Sequence, residues 1–138
     1  MTGSETGVDR PARILIVEDE DNIALALSHV LGREGWAVKR VVDGEAGLDA
    51  VRTERPDLLL LDVMLPGMSG YEVCQAVRLE PELAEVKILM MTARGNAMER
   101  RKGLALGADG FIAKPFDLSD LLDQARALLA GPAEASNA

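Results

Sequence analysis

Apolar residues along this chain fall into short continuous runs, separated by longer stretches in which they recur every three or four positions. The runs at 13–17, 36–42, 57–61, 86–91 and 109–113 predict strands. LLLL in the third and ILMM in the fourth are apolar at consecutive positions, as a parallel strand covered on both faces requires. Helical periodicity fills the intervals. Ile23, Leu27, Val30 and Leu31 stripe the first helix, while Leu118, Leu121, Leu122, Ala125, Leu128 and Leu129 stripe the last, with Asp117 at its N-cap. Ser69 and Glu72 form an S-x-x-E capping box and Asn96 with Glu99 repeats the idea, so the third and fourth helices are predicted to begin near Gly70 and Ala97. Five strands alternating with five helices predict an α/β domain with a doubly wound, five-stranded parallel sheet, because such crossovers are right-handed. Residues 12–130 are the expected domain, and the polar stretches 1–11 and 131–138 are expected to be flexible tails.

Composition narrows the class. A chain of 138 residues is long enough for one core, and with 48% hydrophobic but only 3% aromatic residues that core must be aliphatic. Cys74 is the single cysteine, which rules out an internal disulfide and a Cys-based zinc site. No apolar run approaches the ~20 residues that span a bilayer, and MTGSETGVDRPAR lacks a secretory hydrophobic stretch, so a cytoplasmic protein with no membrane association is expected. A formal charge of -8 repels nucleic acid phosphates, so no direct nucleic acid binding is expected.

Ligands of doubly wound sheets bind outside the carboxyl ends of the strands. Glu18, Asp19 and Glu20 follow the first predicted strand, Asp62 the third, Thr92 the fourth and Lys114 the fifth. Carboxylates crowded at one edge repel one another, which suggests a divalent cation, and an all-oxygen set points to Mg²⁺. A hydroxyl at Thr92 and an ammonium at Lys114 are the donors a transferred phosphoryl group needs, and a carboxylate at Asp62 can attack phosphorus in line. Gly67 and Gly70 are not followed by GK[ST], so no nucleotide-cradling P-loop is present.

Four segments, IVEDE at 16–20, LLLLDVMLPGMSG at 58–70, MMTA at 90–93 and GADGFIAKPF at 107–116, together resemble the receiver domains of bacterial two-component response regulators over nearly the whole folded region. The resemblance implies a flavodoxin-like (βα)5 topology with strand order 2-1-3-4-5, and a phosphoacceptor switch rather than an enzyme. By it Asp62 is the phosphoacceptor and a metal ligand, Asp19 a direct Mg²⁺ ligand, Glu18 a ligand mainly through water, and Met64 a ligand through its carbonyl. Thr92 bonds a phosphoryl oxygen, Lys114 pairs with Asp62 before phosphorylation and with the phosphoryl group after it, and the bond before Pro115 is cis. Phe111 matches the switch aromatic, where Tyr is more usual, and turns inward as Thr92 moves. Implied partners are a sensor histidine kinase or histidine phosphotransfer protein, a downstream protein effector, and a second copy docked through the fourth helix, fifth strand and fifth helix. There Arg100, Arg101 and Lys102 would meet acids such as Asp109, Asp120 or Asp123. Met64 and Arg94 match positions that tune hydrolysis in similar domains.

Plainer readings compete. Glu20, Asp43 and Asp117 are better read as turn or N-cap residues, His29 as an exposed residue on the polar side of its helix, and Met64, Met68, Met90, Met91 and Met98 as packing residues. The 100–102 run is, without the resemblance, a solvated helix face. A phosphatase with an Asp nucleophile would want a second Asp at position 64, where Met stands. A flavin phosphate would be repelled by the acidic edge. A receiver-like scaffold that works without phosphorylation is the remaining alternative, and the intact set Glu18, Asp19, Asp62, Thr92 and Lys114 argues against it.

Overall fold

A computed structural model of the protein describes residues 10–93 and 95–130. Strands β1 (Arg13–Val17), β2 (Ala37–Val41), β3 (Leu58–Asp62), β4 (Lys87–Thr92) and β5 (Gly110–Ala113) form one parallel sheet in the order β2-β1-β3-β4-β5. Helices α1 (Asp21–Gly32), α2 (Gly44–Glu54), α3 (Gly70–Arg78), α4 (Ala97–Ala105) and α5 (Leu118–Ala130) connect and cover it. Each strand lies within about one residue of its expected bounds, the ordinary uncertainty of an element end. Of the expected tails 1–11 and 131–138, residues 1–9 and 131–138 lie outside the described residues, whereas Arg10 and Pro11 are placed, the Arg10 guanidinium 3.6 Å from Asp57.

The consecutive leucines of β3 are all buried because alternate side chains enter opposite layers. Leu59 and Leu61 join Val51, Val73, Cys74 and Val77 under α2 and α3. Leu58 and Leu60 join Leu27, Leu31, Leu121 and Ala125 under α1 and α5. Burial pushes the Cys74 thiol up to about 11, so it behaves as a small apolar residue. Leu118 is the exposed member of the α5 stripe.

The capping box of α3 is complete: Ser69 accepts from Glu72 N–H at 3.2 Å, and the Glu72 carboxylate accepts from Ser69 N–H at 2.8 Å. That of α4 is half formed. Asn96 accepts from Glu99 N–H at 2.9 Å, but the Glu99 carboxylate turns away and takes the Tyr71 hydroxyl from α3. Of the residues of α4 only Gly103 is buried, pressed on Phe111 and Met90. Lys102 lies 4.2 Å over the Tyr71 ring, and Arg100 6.0 Å from the Phe111 ring centroid. Tyr71 is therefore the main peg on the amino-terminal half of α4. Its hydroxyl is held protonated, pushed up to about 12 by burial and then by Glu99. Tyr71→Phe is expected to cost about 0.5–1.5 kcal/mol, a typical hydrogen-bond contribution, and to speed amide exchange selectively over 97–101. Exchange rates unchanged there would show that the peg bears no strain from α4.

Candidate functional site

The carboxyl ends of β1, β3, β4 and β5 converge on one pocket. Glu18 continues the β1 ladder, its N–H donating to the Val41 carbonyl at 3.1 Å, and its side chain is wholly buried. Asp62 ends β3 at 3% exposure and Thr92 ends β4 at 1%. Glu18, Asp19 and Asp62 each offer a carboxylate oxygen, all within 4.8 Å of one another, and of the three only Asp19 is exposed to solvent. Lys114, just beyond β5, lies 2.8 Å from Glu18 Oε1, 3.4 Å from Asp62 Oδ1 and 3.9 Å from Glu20 Oε1. Met64 N–H donates to Asp62 Oδ1 at 3.3 Å, and Lys114 N–H to the Thr92 carbonyl at 2.6 Å. The Lys114–Pro115 bond is cis, as the family resemblance implies.

The electrostatics are strained in one direction. Burial, then the Glu18 carboxylate, pushes the Asp62 carboxyl up to about 6, against the opposing pull of Lys114 and the Met64 N–H. Burial alone would lower the Lys114 ammonium, but Glu18 and Asp62 outweigh it and hold the group above its ordinary value. Two buried carboxylates and a third at the rim thus share one ammonium, a surplus of negative charge that fits a divalent cation bound by oxygen. Beside the pocket, an apolar groove of about 540 Å³ runs between α1 and the segment after β5, lined by Ile23, Leu27, Ala93, Pro115, Phe116 and Leu118.

Of the six residues expected at this edge, Glu18, Asp19 and Asp62 lie together, Lys114 reaches Glu18, Asp62 and Glu20, and the Thr92 carbonyl accepts from Lys114 N–H. Lys114 stands 3.4 Å from Asp62, the partner expected, and nearer still, 2.8 Å, to Glu18, whose buried carboxylate has no other cation at that distance among the described residues. Met64 and Met98 are 64% and 70% exposed and pack little, whereas Met90 and Met91 are fully buried. Phe111 is already inward, buried beneath Gly103. Asp109 is engaged within its own chain, 2.8 Å from Arg78 and accepting from Ile88 N–H. Asp43 caps α2 through Ala46 N–H at 2.7 Å; Glu20 stands at the N-cap of α1, but its side chain makes no capping hydrogen bond. His29 is exposed, and Arg94 lies outside the described residues.

Sequence reasoning missed Arg40, whose Nε donates to the Glu18 carbonyl at 2.9 Å. Only the β1–β2 register, which pairs Arg40 with Ile16, brings it there; the local pattern reads it as an ordinary edge-strand cation.

The family model for the response regulator receiver domain matches residues 14–126. The phosphate regulon transcriptional regulatory protein PhoB of Rhizobium meliloti is 41% identical over 117 residues, covering 85% of this chain and 52% of that protein. The transcriptional regulatory protein CseB of Streptomyces coelicolor is 42% identical over 116 residues, covering 84% and 48%. The chain thus spans about half the length of these curated relatives. Among solved structures, the chemotaxis response regulator CheY4 of Vibrio cholerae superposes with a TM-score of 0.81 at 32% identity, covering 86% of this chain and 98% of that one. The BeF3-activated receiver domain of Klebsiella pneumoniae RstA gives 0.78 at 29%, covering 85% and 97%. With the sheet order, the acidic pocket and these matches in agreement, the chain belongs to the response regulator receiver domain family.

Proposed function

We propose that this chain is a phosphoacceptor switch in two-component signal transduction, with Asp62 as the acceptor. The observation that carries the reading is the placement of Asp62, a nearly buried carboxylate between Glu18, Asp19 and Lys114. In this reading Asp19 and Asp62 hold Mg²⁺ directly, with the Met64 carbonyl, and Glu18 holds it mainly through water. Bound there, the ion supplies positive charge to the oxygens of an incoming phosphoryl group. An Asp62 oxygen forms the O–P bond as the N–P bond of a phosphohistidine breaks, and the leaving imidazole takes up a proton. Thr92 and Lys114 hold the equatorial oxygens. Lys114 begins bound to Glu18, so it must transfer part of that bond to the phosphoryl group.

The donor is a sensor histidine kinase or a histidine phosphotransfer protein, and the apolar groove next to Lys114 gives it surface to seat on. The chain itself acts in the cytoplasm and does not turn over external phosphomonoesters. Among the described residues no helix is long and apolar enough to cross a membrane. Output runs through α4, β5 and α5 to a protein effector or a second copy. Arg100, Arg101 and Lys102 on α4 are exposed, as are Asp117, Asp120 and Asp123 before and along α5, so the face carries both charges a two-fold contact needs. Because Phe111 carries no hydroxyl and is already buried, the inward aromatic state is open to the protein before phosphorylation.

Intact-mass spectrometry after incubation with acetyl phosphate tests this. A single phosphoryl adduct is expected with Mg²⁺, none in EDTA and none in Asp62→Asn. An adduct that survives in Asp62→Asn would move the acceptor elsewhere, and no adduct from acetyl phosphate or from a panel of phosphorylated kinases would leave a binding scaffold as the function.

A further inference from the structure

Four consecutive acids, Glu18, Asp19, Glu20 and Asp21, run from the end of β1 into the first residue of α1. Mutual repulsion should splay such a loop. Two bonds oppose it from within the neighbouring strand. Arg40, near the end of β2, donates from Nε to the Glu18 carbonyl at 2.9 Å, and a terminal guanidinium nitrogen lies 3.0 Å from Asp21 Oδ1. That nitrogen is closed off from solvent and makes no hydrogen bond of regular geometry, so Asp21 answers it as a charge. The contacts fall on the first and last of the four acids, with Asp19 between them. Inside the loop, the Glu18 carboxylate accepts from Glu20 N–H at 3.1 Å, which turns the chain but does not hold it to the sheet.

We propose that Arg40 is a positioning residue for the divalent cation: it clamps the loop after β1 so that Asp19 is presented to the ion beside Glu18 and Asp62. The inference rests on the metal-site reading above. A planar guanidinium fork can hold a carbonyl and a carboxylate at once in fixed geometry, and an ammonium cannot. Two effects of opposite sign meet at this residue, since its positive charge also repels the cation. A charge-keeping substitution isolates the clamp; a neutral one reports the sum.

Calorimetric titration of Mg²⁺ into the parent protein, Arg40→Lys, Arg40→Gln and Asp19→Asn separates these, with amide exchange at 19–22 measured in EDTA to read the loop independently of the ion. Arg40→Lys is expected to weaken Mg²⁺ binding about tenfold, the scale seen when groups that orient metal ligands are removed. Arg40→Gln should weaken it by a somewhat smaller factor, because relief of repulsion offsets part of the loss, and exchange at 19–22 should quicken in both. Arg40→Lys with parental affinity and exchange would overturn the clamp, and so would tighter binding by Arg40→Gln, which would make Arg40 a mere repeller of the ion. Failure of the underlying reading looks different: the parent binds no Mg²⁺, or Asp19→Asn binds it as well as the parent, and either result removes the clamp's purpose as well.

Discussion

Asp62→Asn is expected to make the metal-free protein more stable at pH 7 while abolishing the stabilisation that Mg²⁺ gives the parent. The carboxyl of Asp62 is pushed from its ordinary 3.8 up to about 6 by burial and by Glu18. A raised acid binds its proton more tightly folded than unfolded, so its contribution to stability is intact below about pH 4 and is lost as pH rises to about 6. Above that, the parent carries a penalty that asparagine does not. That difference corresponds to roughly 3 kcal/mol, and screening at the pocket mouth together with the loss of a partner for Lys114 reduces this to about 1–2 kcal/mol, or a rise of several degrees in Tm. The gain should vanish at pH 4. Mg²⁺ at a hundredfold excess over its dissociation constant adds about 2.7 kcal/mol to a protein that binds it only when folded, and the variant should lose most of that. Melting curves at pH 4 and pH 7, each in EDTA and in Mg²⁺, check all four corners. A parent and variant with parallel stability from pH 4 to pH 7 would mean that Asp62 is not crowded by negative charge.

The sheet and the pocket were legible in the sequence for a common reason: both are written in residue order. Consecutive apolar positions in LLLL and ILMM announce strands buried on two faces, and in a doubly wound sheet whatever follows such strands lies at one edge. Glu18, Asp62, Thr92 and Lys114 could therefore be brought together without coordinates. The features that escaped depend on what one element does to another. Arg40 acts through the strand register, Tyr71 through its hydrogen bond from α3 to Glu99 on α4, and Asp109 through an arginine at the far end of α3. Glu99 shows the limit well. Its spacing from Asn96 is that of a capping box, yet its carboxylate takes the hydroxyl of a half-buried tyrosine from α3 instead of the backbone. Met64 and Met98 failed for the converse reason, as methionine is as much at home on a surface used for contacts as in a core.

Gly70 joins the fold to the acceptor strand directly, and Gly70→Ala is expected to cost much of the stability. A Cβ at this first residue of α3 would stand 2.2 Å from the Asp62 carbonyl oxygen and 2.8 Å from Val63 Cα, atoms of the strand end itself that no rotamer change can move aside. The Gly70 N–H also donates to the Val63 carbonyl at 2.9 Å, which pins the two backbones together. To admit a methyl group, α3 must shift as a body, carrying Tyr71 away from Glu99 and lifting Val73, Cys74 and Val77 out of the layer beneath it. Alanine's better helix propensity and its smaller unfolded-state entropy offset only about 1 kcal/mol. A net loss of about 3 kcal/mol or more follows, with a fall in Tm on the order of 10 °C and weaker Mg²⁺ binding because the Asp62 peptide is displaced. Gly32→Ala is the matched control. Its added Cβ meets nothing within 4 Å at the end of α1, so the same change should be neutral or stabilise by up to about 1 kcal/mol. Equal melting temperatures for the two variants would refute the close approach of α3 to the acceptor strand, whereas the predicted divergence would locate in one glycine the contact that holds Asp62 against the helix behind it.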